Sequence, residues 1–113
     1  MEDLMPQIKL CAVSEFGEEN VKTFRVGKKD IAVFKVEDTF YAIDRKCTHL
    51  KGNLAKGKLV DKTIQCPLHG AIFNLKTGEL LKQPGTLAGW FKKAKNTTIY
   101  RLLIKDDFLF LEE

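Results

Sequence analysis

Nowhere do eighteen apolar residues follow one another, so no stretch is long enough to cross a bilayer as a helix. The opening residues, Met1-Glu2-Asp3-Leu4-Met5-Pro6, lack the basic stretch and the apolar run of a secretory leader. A soluble, cytoplasmic protein that makes no membrane contact is therefore expected. Cysteine is scarce too: Cys11, Cys47 and Cys66 are too few for a disulfide framework, which fits a reducing compartment. Histidine is scarcer still, with only His49 and His69. Internal repeats and low-complexity tracts are missing. What is present, 113 residues of which 44% are hydrophobic, suffices for one core and falls short of two ordinary domains. One domain over residues 1–113 is expected.

The net charge of +4 is unevenly spread. Residues 45–95 hold eleven Lys/Arg against two Asp/Glu, a balance of +9, and the remainder carries −5. Such a field would steer an acidic partner surface towards the middle of the chain, with an effect that fades as salt rises. A plain solvated lysine surface is the alternative.

Both histidines and two of the three cysteines fall in two short pairs, Cys47-Thr48-His49 and Cys66-Pro67-Leu68-His69, with sixteen residues between them. Thiolate and imidazole are soft ligands suited to iron, zinc and copper, so the pairs read as one metal site. Structural zinc sites usually gather like ligands, Cys with Cys and His with His. Here each pair mixes the two types. A [2Fe–2S] cluster has two distinct ends, and two mixed loops can place both thiolates on one iron and both imidazoles on the other. Pro67 fixes the turn between Cys66 and His69, and Gly70 permits close backbone approach. Cys11, in the apolar stretch Ile8 to Val13, reads as a small buried hydrophobe.

Strand signals surround these pairs. Gln7 to Val13 and Asn20 to Val26 read as strands, the latter with β-branched and aromatic enrichment. Asp30 to Val36 and Thr39 to Ile43 flank Glu37-Asp38, and Thr97 to Lys105 and Phe108 to Glu112 flank Asp106-Asp107; each set predicts a hairpin with a two-residue loop. Between the hairpins, glycines and prolines break residues 44–86 into short pieces, with strands expected at Lys58 to Val60, Thr63 to Cys66 and Ala71 to Asn74. A turn is expected at Lys76-Thr77-Gly78-Glu79. Leu87 to Lys95 reads as a short helix or a loop.

The double pattern of Cys-x-His and Cys-x2-His resembles that of the Rieske iron–sulfur proteins. The resemblance extends over residues 47–84 through Leu54, Gly57, Ile64-Gln65-Cys66-Pro67, His69-Gly70, Phe73 and Thr77-Gly78. It implies an all-β fold, an antiparallel β-sandwich with a small loop-rich cluster-binding subdomain over about 45–86. It also implies one Rieske [2Fe–2S] cluster per chain. Cys47 and Cys66 would hold an iron that stays ferric, and His49 and His69 the redox-active iron near the surface, where a partner docks. Leu50, Pro67, Leu68 and Gly70 would surround the cluster, with Leu50 and Leu68 shielding it from water and ordinary packing as the alternative for either.

Departures from the pattern narrow the subfamily. High-potential Rieske proteins carry an extra cysteine in each loop, joined as a disulfide; Gly52 and Leu68 stand at the matching positions. They also carry a Ser and a Tyr whose hydroxyls hydrogen-bond the cluster and ligand sulfurs, where this chain has Ala71 and Phe73. Without those donors the reduced cluster is less stabilised, which implies a potential towards the low end of the Rieske range of roughly −150 to +300 mV. The chain thus resembles a Rieske-type ferredoxin. No histidine remains for the mononuclear iron of a Rieske oxygenase, so an electron carrier is expected rather than an enzyme.

Its partners would be a flavin-containing NAD(P)H reductase and a terminal oxygenase or reductase, with no nucleic acid bound. The small Rieske-like subunit of assimilatory nitrite reductase is a rival reading. A zinc-stabilised interaction module, with the basic middle region as its binding surface, is a rival of another class. Trp90 and Phe91, ahead of Lys92, Lys93 and Lys95, read as core packing, with an aromatic anchor for a partner as the alternative. Oligomeric state is open.

Overall fold

The computed structural model describes residues 7–48, 52–68, 70–85 and 94–112. Strand β3 (Lys29–Val36) organises it, because Ile31, Ala32, Val33 and Phe34 are all buried in succession. A strand with one wet face alternates, so an unbroken buried run requires cover on both sides. Ile31 and Val33 enter one core with Cys11, Phe16, Ala42, Leu109 and Leu111. Ala32 and Phe34 enter a second with Ile43, Cys47, Leu54, Ile64, Cys66, Phe73 and Leu75.

Those cores separate the layers. β1 (Gln7–Ala12), β2 (Val21–Val26), β3, β4 (Thr39–Asp44), β9 (Ile99–Lys105) and β10 (Phe108–Glu112) form an antiparallel sheet in the order β1-β10-β9-β4-β3-β2. β4 and β9 share only the pairs Ala42↔Tyr100 and Ile43↔Ile99. Across that narrow seam the sheet folds over, bringing Leu109 and Leu111 of β10 into the core with Ile31 and Val33 and producing the expected sandwich. A second sheet, β5 (Lys58–Val60), β6 (Thr63–Gln65), β7 (Ile72–Asn74) and β8 (Leu80–Lys82), packs on the other face of β3 and β4.

Both expected hairpins form. Val36 pairs with Thr39 and Lys105 with Phe108, leaving Glu37-Asp38 and Asp106-Asp107 as loops. Asp106 and Asp107 hold φ of 53° and 67°, and Glu37 holds 58°. Two-residue hairpin loops need such left-handed residues to match strand twist, and Asp tolerates them. Several strand ends lie one or two residues from the expected ones, and two of these differences bear on the site. β6 stops at Gln65 and β7 starts at Ile72, because Cys66 and Ala71 bond each other as the ends of a loop. Neither β8 nor the 3-10 turn Leu54–Lys56 is evident from hydrophobic pattern alone; each is three residues long. Of the expected helix or loop over 87–95, only Ala94 and Lys95 lie within the described residues, and they have no regular structure.

The end of β4 is tied down ionically. Arg45 Nε and Nη2 donate to Asp30 Oδ1 and Oδ2 at 2.7 and 2.5 Å, and the Arg45 N–H donates to the Asp30 carbonyl at 2.8 Å. The hydrogen bonds from Arg45 hold the Asp30 carboxyl below the usual carboxylate range. A depressed carboxyl pKa contributes stability that is present above the unfolded value of about 3.9 and lost as pH falls through the lower folded value. Asp30→Asn is expected to lose roughly 1–2 kcal/mol near neutrality and to show a shallower loss of stability below about pH 4. Denaturant titrations at both pH values check this.

Candidate metal centre

Cys47 and Cys66 each open a loop of the same construction. After β4, Lys46 bridges Asn53, and the Cys47 N–H donates to the Gly52 carbonyl at 2.7 Å. Between β6 and β7, Gln65 pairs with Ile72, and the Cys66 N–H donates to the Ala71 carbonyl at 2.7 Å. Each cysteine thus heads a six-residue hairpin tip that its own backbone closes. One tip rises from the large sheet and the other from the small one. The Leu54 N–H, bonded to the Arg45 carbonyl at 2.7 Å, and the fully buried Leu54 side chain root the first loop between the sheets.

The two tips meet at their cysteines. Cys47 and Cys66 are 2% and 3% exposed, belong to one core cluster, and have thiols within hydrogen-bond reach of each other. No cysteine of the chain is in a disulfide. The Cys66 thiol is pushed up to about 11, chiefly by burial and also by the neighbouring Cys47, against the lowering effect of a hydrogen bond donated by the Leu68 backbone. A soft metal ion would displace these protons on binding, so metal affinity rises with pH. Among the described residues no third Cys, His, Asp or Glu joins them in a metal-holding group. His49, Leu50 and His69 lie outside the described residues, so of the four expected ligands the structure places the two cysteines.

The glycines and Leu68 explain how the tips come so close. A Cβ on Gly52 would lie 2.8 Å from Cys66 Sγ and 3.2 Å from Leu68 Cγ and Cδ1. Gly52 is therefore a bare floor against which the other loop rests. Leu68 covers it with one side and remains 44% exposed on the other, beside an exposed Pro67. Gly70 holds φ of +81°, a left-handed conformation that closes the second tip. Ala71 and Phe73 are fully buried in the same core as both cysteines, and neither carries a hydroxyl.

A further group escaped the sequence reading. Thr48 Oγ1 donates to the Lys95 carbonyl at 2.6 Å and accepts from the Lys95 N–H at 3.1 Å. The Gln83 amide does the same for Ala94, donating to its carbonyl at 3.2 Å and accepting from its N–H at 2.9 Å. Together they clamp residues 94 and 95 between the first cysteine loop and the end of β8. No local spacing announces partners 47 positions apart. Thr48→Val keeps the side-chain shape and removes both bonds, so it should cost roughly 1–2 kcal/mol and speed metal loss to a chelator several-fold. Bleaching time courses check this, and a rate equal to the parent's would count against the clamp.

The site suits a metal group bound partly by thiolates: two buried soft donors in contact, a glycine floor, and one backbone N–H, that of Leu68, directed at the Cys66 sulfur. Comparison with known proteins bears on which group. A family profile described as the Rieske [2Fe-2S] domain matches residues 7–97, which includes both tips. The chain is 38% identical over 81 residues to Ferredoxin CarAc of Metapseudomonas resinovorans, covering 71% of this chain and 76% of that one. It is 39% identical over 84 residues to the 3-phenylpropionate/cinnamic acid dioxygenase ferredoxin subunit of Escherichia coli (strain K12), covering 73% and 77%. Among solved structures, a chain in the complex of reduced oxygenase and oxidized ferredoxin of carbazole 1,9a-dioxygenase superposes with a TM-score of 0.78 at 30% identity, covering 94% and 92%. The Sphingomonas yanoikuyae B1 ferredoxin shares the fold, with a TM-score of 0.76 at 23% identity.

Proposed function

Because the chain belongs to the Rieske [2Fe-2S] family and so takes a [2Fe–2S] cluster, we propose that Cys47, His49, Cys66 and His69 hold that cluster and that the protein carries single electrons from a flavin-containing NAD(P)H reductase to a terminal oxygenase. When bound, such a cluster takes up and returns one electron at a potential that imidazole ligation raises above that of an all-cysteine cluster. The chain's own residues supply the setting. Cys47 and Cys66 give thiolates from a buried position, which keeps water from the sulfur side. The Leu68 N–H donates to Cys66 sulfur, while Ala71 and Phe73 add no donor, and this supports a potential low in the Rieske range.

The observation that carries the reading is the meeting of two cysteine-headed tips closed by the same backbone bond. Relatives named as ferredoxin components of dioxygenase systems favour an oxygenase as recipient over a nitrite reductase, and a carrier role over catalysis. The zinc module loses its support with the family assignment. Residues 1–113 are taken as one domain whose cluster-binding part spans about 45–86, since the small sheet shares its core with β3 and β4. None of the described helices is long and apolar enough to cross a membrane. A cytoplasmic location is proposed on the likeness to ferredoxins. The purified protein should be red-brown and, once reduced, give a rhombic electron paramagnetic resonance signal. It should also turn over between a reductase and an oxygenase of the dioxygenase class; a colourless, zinc-bearing protein would overturn the reading.

A further inference from the structure

The face around the two tips is apolar at its centre and basic at its edge. Leu68 and Pro67 stand exposed over buried Cys66. Lys56 and Lys58, both exposed, line a hollow of about 380 Å³ together with Cys66, Pro67 and Gly70. Beside the other tip, exposed Lys46 precedes Cys47, and exposed Lys95 is held to Thr48 through its backbone. Along the sequence, residues 45–95 carry eleven Lys/Arg against Asp61 and Glu79, and of these Arg45 is paired with Asp30 while Lys46 lies near Asp30 and Asp44. A rim of one sign around an apolar point is the arrangement that steers and orients a protein partner of opposite sign.

We infer that this face docks a redox protein whose own face presents carboxylates around a shallow apolar depression that takes Leu68. The inference rests on the electron-carrier reading and adds the chemistry of the partner. Lysines at the rim set the encounter rate and its salt dependence, and Leu68 sets the seat. Lys56 and Lys58 stand beside the second tip with no carboxylate in their hollow, whereas Lys46 shares its hollow with Asp30 and Asp44, so the positive edge that meets the partner is the Lys56–Lys58 side.

Inorganic oxidants of opposite charge read the local field in the holoprotein. Second-order rates for oxidation of the reduced protein by ferricyanide, a trianion, and by tris(phenanthroline)cobalt(III), a trication, are measured by stopped flow from low to high salt. The ferricyanide rate should fall with salt and the cobalt rate rise. Lys56→Glu with Lys58→Glu should slow ferricyanide about tenfold at low salt and speed the cobalt complex. The control pair, Lys9→Glu with Lys105→Glu, makes the same change in net charge on the outer face of the β1-β10-β9 portion of the large sheet. There Lys9 lies over the Phe108 ring and Lys105 over the Phe110 ring. It should move either rate less than twofold. Equal effects of the two pairs, or a flat or inverted salt dependence of the unmodified protein, would overturn the inference even where a variant fails to fold. A protein without the reduced-cluster resonance signal fails the carrier reading instead, which keeps the two failures apart.

Discussion

Cys66→Ala is expected to purify colourless, with iron falling from about two atoms per chain to near none and the rhombic resonance signal lost. Cys66 is 3% exposed at the head of its tip, its sulfur in contact with Cys47 and bonded by the Leu68 N–H. No described Cys, His, Asp or Glu joins the two cysteines to take its place. His69→Ala should behave alike. Cys11→Ala is the matched control, because Cys11 is as much a buried thiol, at 8% exposure, but sits in the other core between β3 and β10. It should keep full iron and colour and lose only about 1 kcal/mol of stability. Iron and sulfide assays with visible spectra on the three variants decide the point. A Cys66→Ala protein that retains its iron and spectrum would remove this cysteine from the ligand set.

Gly57→Ala should be strongly damaging for a single added methyl group. Its Cβ would lie 2.2 Å from the Gln65 carbonyl oxygen and 3.2 Å from that of Leu54. Gly57 has φ of −79°, so the objection is steric and does not come from its torsion angles. Both neighbours are backbone, and Gln65 is held in the β5-β6-β7 ladder, so neither can yield cheaply. A loss of about 3 kcal/mol is expected, at the upper end for overpacking, together with cluster loss because Gln65 directly precedes Cys66. Gly52→Ala differs in kind. It meets Cys66 Sγ at 2.8 Å and Leu68 side-chain atoms at 3.2 Å, and half-exposed Leu68 can swing away. Folding should suffer by about 1 kcal/mol while the ligand sulfur is pushed off its position, so cluster content should fall more than stability. Denaturant midpoints of the metal-free proteins, beside iron content of the loaded ones, separate the two glycines. Equal ratios of the two losses would contradict this assignment of roles.

Much of the fold was legible because its strands are long and its hairpin loops short. Val36-Glu37-Asp38-Thr39 and Lys105-Asp106-Asp107-Phe108 turn where β-prone runs meet two acidic residues, and both turns form there. β8 and the turn Leu54–Lys56 were not legible, since three residues offer no period to read. Cys47 and Cys66 stood out through ligand type and spacing. Thr48 and Gln83 did not, because their partners Lys95 and Ala94 are remote in sequence and are backbone groups, which any residue provides.

By itself the sequence determined the donor chemistry: two mixed Cys/His pairs, the hydroxyl-free Ala71 and Phe73, and the lysine excess around them. These are covalent facts, and no folding is needed to state them. The tertiary structure alone decided that Cys47 and Cys66 are buried and in contact, that Gly52 is the floor between the tips, and that Lys56 and Lys58 line a hollow with Cys66 and Pro67. Each of these depends on bringing together residues from different sheets and loops, and their closeness in space is set by the shared core on β3 and β4.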